Sequence, residues 1–331
     1  MIRRYLASAN TGKQFICNFD QINKSAKDGF LYIIKGGSGT GKSTIMKSVA
    51  KYFLEKNLDI EYFYCSSDIN SLDGIRIKKL NISIIDGTAP HTMDTKLLGV
   101  SDRLVDVGCF VRRAVKDNKV DILKYQNKKS FYFRLVNNYL SSANKLLNNN
   151  IEILKTEQKP NKQKQYVDYL VDLLRLDKQF GKGNKREFFI NSLDGSLVEK
   201  NDFEKVVDVE FDILTNTNIL ERLTKVLDKY NYKYIVFKNI VEPNMIDGIE
   251  IESVGFVQSK INNRLENKQM TKLLAENDNH ISKLVKLAKN CLIIARKNHL
   301  KIEANYIKNM DFKKVDEVIE KLIGEINEQI N

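Results

Sequence analysis

The sequence predicts an α/β fold in which one arrangement of strands and helices occurs twice. Three observations support this prediction. A short apolar run, LYII at 31–34, precedes a glycine-rich stretch and then apolar residues at helical spacing, an order typical of a buried strand, a loop and an amphipathic helix. Further apolar runs follow at 60–65 and 81–86, and such alternation favours a parallel sheet with right-handed crossovers. Several segments then recur later in the chain at a fixed spacing.

Length and composition predict two globular units. The chain has 331 residues, more than a single hydrophobic core usually spans. Hydrophobic residues make up 42% and charged residues 29% of it, which is the balance of a folded protein rather than a disordered one. We predict two domains, residues 1–180 and 181–331, that meet near the polar, glycine-containing stretch KQFGKGNK at 178–185.

The first unit is predicted to contain a sheet and a helical appendage. IEYFYC at 60–65 and NISIID at 81–86 are the second and third strands, and SLDG at 71–74 between them is typical of a turn. From about residue 104 to residue 176 the pattern is mostly helical. We expect this stretch to form an appendage on the sheet.

A repeat of the same plan is predicted for the second unit. LDGIRI at 72–77 and IDGIEI at 246–251 share an aspartate and a glycine, and 174 positions separate Asp73 from Asp247. RRYLASANTG at 3–12 resembles KREFFINSLDG at 185–195, since both begin with charged residues and end with glycine. A shift of 174 positions also aligns the apolar residues of one predicted helix with those of another. Ile45, Met46, Val49 and Phe53 align with Ile219, Leu220, Leu223 and Leu227. The shared register of helix and DGI segment indicates an internal duplication.

The stretch GGSGTGKS at 36–43 fits the P-loop pattern G-x-x-x-x-G-K-[ST] at every fixed position. Glycines let the backbone wrap closely around phosphate and point its N–H groups inward, and the helix that follows adds its positive dipole end. Lys42 is predicted to reach the β- and γ-phosphates, Ser43 to ligate Mg²⁺ and Thr44 to touch the α-phosphate. The predicted ligands are ATP and Mg²⁺. The predicted nucleotide-binding residues are Gly36, Gly37, Ser38, Gly39, Thr40, Gly41, Lys42, Ser43 and Thr44.

A second metal ligand is expected at the end of a neighbouring strand. Asp86 is the last residue of the apolar segment SIID at 83–86. This places it at the edge of the sheet where α/β proteins bind ligands. Asp68, after the second strand, is the alternative acid, and we group it with Lys42 and Asp86 as a candidate catalytic residue. Position 87 is glycine, so the glutamate that activates water in many ATPases is missing there. Asp68 and His91 are the candidates for that task.

The second copy is predicted to lack this site. In ILTNTNILE at 213–221, the spacing of 174 aligns Asn216 with Lys42 and Thr215 with Gly41. It also aligns Lys260 with Asp86. A threonine would obstruct the close backbone approach, and asparagine supplies no positive charge.

Charge and cysteine content narrow the function classes. The formal net charge is +12, which suits an anionic partner such as nucleic acid. Lysine is abundant throughout, however, and this favours diffuse, solubilising charge over a binding patch. The four cysteines form no C-x-x-C pair, and no apolar run reaches the length of a membrane span. We therefore expect no disulfide framework, no zinc site, no membrane partner and a cytoplasmic location.

The combination resembles a family of bacterial tandem P-loop ATP-binding proteins, found mostly in Gram-positive anaerobes and catalogued as ATPases of unknown role. KGGSGTGKSTIMK, YCSSDINSLDG, IIDGTAPH and NMDFKKVDEVIEKLI carry the resemblance, which spans nearly the whole chain. Members of that family usually have a P-loop in each half, and this chain differs in its second half. The resemblance therefore implies an ATP-binding role for residues 36–44 and Asp86 only.

Three functions are compatible with these observations. The first is an ATP-binding protein that hydrolyses ATP slowly or switches with its nucleotide state, moving a helical segment or a protein partner. The second is a phosphotransferase that presents the γ-phosphate to a small acceptor. The third is a DNA-associated ATPase, which rests on the net charge and on the lysines of KTEQKPNKQKQ at 155–165.

Overall fold

The computed structural model describes residues 2–23, 29–156, 160–176, 183–252, 254–263 and 265–329. The predicted domain boundary at 180/181 lies outside these residues, as do parts of the stretches at 155–165 and 178–185. Among the described residues, no helix combines the length and the hydrophobicity that a membrane span requires.

The first sheet is mixed rather than wholly parallel. Its strand order is β1-β5-β6-β7-β4-β8, and β6 is antiparallel to both of its neighbours while the other adjacent pairs are parallel. β2 and β3 form a separate antiparallel hairpin. The strands are β1 (Ile2–Tyr5), β2 (Ser8–Asn10), β3 (Phe15–Cys17), β4 (Phe30–Lys35), β5 (Ile60–Cys65), β6 (Asp68–Ile77), β7 (Ile82–Asp86) and β8 (Asp102–Asp106).

The antiparallel strand β6 corrects two sequence-based expectations. The SLDG segment at 71–74 lies inside this strand and is not a turn. Asp-Gly is a turn signal in isolation, but Leu72, Ile75 and Ile77 are buried and gain more from packing between the two neighbouring strands. The α/β class is confirmed, and the wholly parallel sheet is not.

The second sheet has the order β12-β15-β14-β13-β9. Matching β9, β13, β14, β15 and β12 with β1, β5, β6, β7 and β4 gives the same order and the same parallel or antiparallel direction for every adjacent pair. The strands are β9 (Asn184–Phe188), β10 (Asn191–Ser192), β11 (Gly195–Ser196), β12 (Val206–Phe211), β13 (Lys233–Lys238), β14 (Ile246–Ile251) and β15 (Gly255–Ile261).

Two of the helices place their predicted apolar faces against the sheets. The apolar residues at 45, 46, 49 and 53 of α1 are buried, as are those at 219, 220, 223 and 227 of α4, which confirms both amphipathic helices. The helices are α1 (Lys42–Glu55), α2 (Lys119–Lys155), α3 (Pro160–Leu173), α4 (Ile213–Lys229), α5 (Lys268–Ile307) and α6 (Phe312–Glu328).

The two halves exchange their last helices. α6, at the end of the chain, packs on α1 and contributes Val315, Leu322 and Ile326 to the same buried cluster. α3, from the first half, packs on α4, and Leu170 joins the core around that helix. Each half therefore completes the core of the other.

The long helices α2 and α5 run antiparallel and pair along their length. Asn150 Nδ2 donates to Asp278 Oδ1 at 2.8 Å, and at the other end Lys301 Nζ lies 5.0 Å from the ring centre of Tyr125. Ile33 of β4 packs with this pair, whereas its neighbour Ile34 packs with α1 and α6. Because successive strand residues point to opposite faces, the α2–α5 pair covers the other face of the sheets. It is a shared layer rather than an appendage on the first sheet.

The two sheets meet at β1 and β9. Leu6 and Phe189 exchange two backbone hydrogen bonds of 2.9 Å each. Next to them the Arg186 guanidinium donates to both oxygens of Glu61, at 2.8 and 2.6 Å, and both side chains are buried. Burial opposes ionisation of Glu61, but the charge of Arg186 and its two hydrogen bonds outweigh burial and lower the pKa of Glu61 to about 2.

The positive charge is concentrated, contrary to the sequence-based expectation. α2 contains seven Lys and Arg against two Asp and Glu, and α5 contains eight against three. These helices therefore contribute +10 of the net +12. The sequence alone could not show this concentration, because only the pairing of the helices places the two stretches side by side.

Candidate functional site

A glycine loop, residues 36–41, connects β4 to α1. Gly39 and Gly41 have φ angles of 73° and 88°, a left-handed conformation that favours glycine. A Cβ at Gly36 would lie 2.5 Å from Thr40 Oγ1, and the hydroxyl of the buried Thr40 donates to Gly37 O at 2.9 Å. The predicted loop is thus a compact turn that needs glycine at these positions.

Lys42 begins α1 and folds back over the loop. Its Nζ donates to Gly36 O and Gly37 O, both at 2.8 Å, and lies 3.5 Å from Asp86 Oδ2. The Lys42 side chain is 12% exposed. The ammonium group is therefore held at the loop mouth beside a carboxylate. Of the other predicted loop residues, Ser38 is half-buried and Thr44 is exposed.

Asp86 is the last residue of β7, which pairs with β4. Its Oδ1 accepts a hydrogen bond from Thr88 N at 2.8 Å, and the Thr88 hydroxyl donates to Gly36 O at 2.9 Å. Thr88, which the sequence did not single out, therefore ties the end of β7 to the start of the glycine loop. Its position two residues after a predicted metal ligand was the only available sign.

Ser43 and Asp68 face different partners. The Ser43 Oγ accepts a hydrogen bond from Leu72 N at 2.9 Å, and a hydroxyl oxygen can accept a second bond. Asp68 lies 2.5 Å from the Arg296 guanidinium of α5 and accepts a hydrogen bond from Asn70 N. Among the described residues, only Asp86 of the two predicted acids forms an ion pair with Lys42.

A buried carboxyl group lies beside the loop in β6. Asp73 precedes Gly74, which pairs with Ile85, so Asp73 and Asp86 are neighbours on adjacent strands. Burial, followed by the charge of Asp86, raises the pKa of Asp73 to about 8. From sequence, Asp73 stands out only as a residue that both halves share. The recurrence of an acid inside an apolar segment in both copies was the signal that could have identified it.

His91 contacts this carboxyl group. Its Nε2 lies 3.5 Å from Asp73 Oδ2, and its ring stacks on Phe19 with a centre-to-centre distance of 4.6 Å. Burial lowers the pKa of His91 to about 4, so the ring is neutral at pH 7. The structure thus brings His91 together with Asp73, next to Asp86, whereas Asp68 is paired with α5.

The last turns of α5 and the start of α6 lie against the glycine loop. A Cβ on Gly39 would be 2.9 Å from Glu303 O, and one on Gly37 would be 3.5 Å from the Tyr306 ring. A Cβ on Gly41 would be 3.1 Å from Val315. More than 250 residues separate these side chains from the loop in sequence, so no local pattern could have revealed them.

The corresponding edge of the second sheet has a different connection. Six residues separate β4 from α1, but one residue, Asp212, separates β12 from α4. The Asp212 carboxylate caps α4 by accepting from Thr215 N at 2.9 Å. A negative side chain therefore occupies the helix N-terminus that would attract an anion.

The strand register changes one sequence alignment. The spacing of 174 aligned Asp86 with Lys260, but Gly74 pairs with Ile85 whereas Gly248 pairs with Gln258. The structural counterpart of Asp86 is therefore Ser259, and the alignment with Lys260 was wrong by one residue. A constant spacing cannot detect a one-residue shift in a short strand.

The contact between Lys42 and Asp86 has a neutral counterpart in the second half. The buried Asn216 amide donates to Ser259 Oγ at 2.8 Å and to Lys260 O at 3.0 Å. A cavity of about 530 Å³ opens at this edge and is lined by Asp247 and Ser259, among others. Both Asp247 oxygens accept hydrogen bonds from asparagine side chains. This edge therefore lacks the lysine–aspartate pair of the first sheet.

No ready-made metal cluster is present among the described residues, since no three His, Cys, Asp or Glu side chains there are arranged to hold a metal ion. Mg²⁺ does not need such a cluster, because it commonly binds one or two protein oxygens together with phosphate and water. Asp86 and the hydroxyl of Ser43 on the neighbouring helix are oxygen donors of that kind. The residues present therefore fit a Mg²⁺ ion held jointly with a phosphate.

Comparison with known proteins gives one partial match. The family model of the nephrocystin 3 N-terminal region matches residues 10–78, about a fifth of the chain. This stretch includes the glycine loop, α1 and β6. Neither the curated proteins nor the solved structures contain a significant match to the chain.

Proposed function

We propose that this chain binds Mg·ATP at residues 36–44 and acts as a slow ATPase or nucleotide switch with one site per chain. The observation that carries the proposal is the position of Lys42, 3.5 Å from Asp86, in a glycine loop between a buried strand and a helix N-terminus. A positive charge and a metal-binding acid at this point are what a P-loop needs to hold a triphosphate.

Each residue has a distinct task in this proposal. The loop N–H groups and the N-terminus of α1 bind phosphate oxygens. Lys42 exchanges its present carbonyl partners for the β- and γ-phosphates. Ser43 and Asp86 hold Mg²⁺, which when bound neutralises developing charge on the phosphates. Thr88 keeps Asp86 at the correct distance from the loop.

We further infer that both halves derive from one P-loop unit and that the second has lost its site. The second sheet has the same strand order and pairing directions as five of the six strands of the first, and this supports a duplication. Replacement of the Lys42–Asp86 pair by Asn216 and Ser259 removes both charges together. The Asp212 cap would also repel phosphate at the helix N-terminus.

Calorimetric titration with a non-hydrolysable ATP analogue and Mg²⁺ tests this function. We expect one site per chain in the wild type and no detectable binding in Lys42→Ala, because that variant removes the charge aimed at the phosphates. Lys51→Ala is the control, since Lys51 is an exposed residue of the same helix. Unchanged affinity in Lys42→Ala, or two sites per chain, would contradict the proposal. Phosphate release in the same variants then separates hydrolysis from binding alone.

A further inference from the structure

We propose that the solvent face of the α2–α5 helix pair binds duplex nucleic acid through its phosphate backbone. The helix pair, α2 (Lys119–Lys155) and α5 (Lys268–Ile307), is called the basic rod below. The inference is independent of the proposed nucleotide site, since it uses none of the residues that would hold ATP.

Charge density is the first observation. The basic rod contains fifteen Lys and Arg against five Asp and Glu, whereas the rest of the chain has a net charge of only +2. Diffuse solubilising charge would not concentrate in this way. A concentration of one sign on one face is the electrostatic footprint of a polyanion site.

Exposure is the second observation. Twelve of the fifteen cations are exposed. Apolar residues of the inner face, such as Leu140 and Leu292, are buried in the core that the helices share with the sheets. Within the described residues, Lys289 and Arg296 form ion pairs with Asp194 and Asp68 beyond the rod. The exposed lysines at 124, 128, 283 and 286 have no carboxylate within 4 Å among the described residues.

Shape is the third observation. At a rise of about 1.5 Å per residue, helices of 37 and 40 residues are about 55 to 60 Å long. A duplex of about 16 base pairs has the same length, at about 3.4 Å per base pair. Cations occur along both helices, from Lys119 to Lys155 in α2 and from Lys268 to Lys301 in α5. The rod therefore offers a continuous track to a regularly charged partner.

An anionic membrane fits the same surface less well. A helix that lies on a membrane presents a contiguous apolar face to the lipid, but the contiguous apolar faces of α2 and α5 are buried in the core. The rod has eight exposed large apolar side chains against its twelve exposed cations. No base-reading element is required, because contacts to phosphate are independent of sequence.

Fluorescence anisotropy with a labelled 20-base-pair duplex tests the proposal on the full-length chain. The test variant combines Lys124→Gln, Lys128→Gln, Lys283→Gln and Lys286→Gln. The control removes the same charge elsewhere, by glutamine substitution of the exposed lysines at 51, 225, 313 and 321. All eight side chains are on the surface, so both variants should keep the wild-type thermal melt by circular dichroism.

We expect wild-type binding that weakens steeply with salt, and at least a tenfold loss of affinity in the test variant at 100 mM salt. Each lost phosphate contact reduces the slope of log affinity against log salt by about 0.9, so the slope should fall by about 3 to 4. The control variant should match the wild type. Lys42→Ala should also bind the duplex normally, which separates this result from any failure of the nucleotide site.

Four outcomes would overturn the proposal. The first is no duplex binding at 50 mM salt. The second is an equal loss of affinity in the test and control variants, because net charge rather than the rod would then be responsible. The third is binding to vesicles with 30% anionic lipid but not to the duplex. A labelled single strand of the same length should bind more weakly, and tighter binding to it would contradict the choice of duplex.

Discussion

Substitution of Glu61 by glutamine should destabilise the junction between the two sheets. The buried carboxylate accepts two hydrogen bonds from Arg186 and lies 3.5 Å from Arg76. Glutamine has nearly the same shape but removes the carboxylate charge that both guanidinium groups face. Breaking a buried ion pair from one side typically costs about 3 to 5 kcal/mol. We expect a loss of that size at pH 7, measured from the urea midpoint.

The pH dependence of stability gives an independent value for the contribution of the Glu61 carboxylate to the free energy of unfolding. The pKa of Glu61 is lowered from its ordinary 4.5 to about 2, so its ionised form stabilises the folded state at pH values above 4.5. This contribution is lost as the pH falls through 4.5 towards 2. A pKa difference of about 2.5 corresponds to about 3 kcal/mol. The wild type should lose this contribution on acidification, and Glu61→Gln should show a correspondingly shallower decline.

Urea denaturation at pH 7, 5 and 3 checks both expectations. Glu55→Gln is the matched control, because Glu55 is exposed and its pairing with Lys51 at 4.0 Å should contribute less than about 0.5 kcal/mol. A urea midpoint for Glu61→Gln within the error of the control would refute the reasoning. So would an acid dependence identical to that of the wild type.

Two further predictions concern the candidate site and its counterpart. Asp86→Asn should reduce Mg²⁺-dependent phosphate release far more than ATP-analogue affinity, because it leaves the loop N–H groups intact. Asp68→Asn should spare that release, and the reverse pattern in the two variants would reassign the metal ligand to Asp68. Asn216→Ala should lower the free energy of unfolding by about 1 to 3 kcal/mol, since it removes the hydrogen bonds that the buried amide donates to Ser259 Oγ and Lys260 O. It should leave ATP-analogue affinity unchanged in calorimetric titration. A nucleotide site lost in Asn216→Ala would show that the second half still binds nucleotide.

The residues that could be predicted from sequence are those whose surroundings are set by near neighbours. The glycine loop is specified within eight consecutive positions, and α1 and α4 are specified by apolar residues at helical spacing. The strand β6 could not be predicted in the same way, because its Asp-Gly pair favours a turn locally. Its strand conformation depends on pairing with β5 and β7, and those contacts are not visible in a short window.

The sequence was sufficient to predict the α/β class, the loop that places Lys42 at a helix N-terminus and the absence of a matching lysine in the second half. The tertiary structure was needed to show that Ser259 rather than Lys260 corresponds to Asp86, because strand register depends on hydrogen bonds between strands. It also decided that α6 covers α1 and that α5 reaches the loop, since these helices follow it by more than 200 residues. The concentration of charge likewise required the pairing of α2 with α5. Local patterns fix conformation over a few turns, whereas burial and charge are properties of surfaces built from distant parts of the chain.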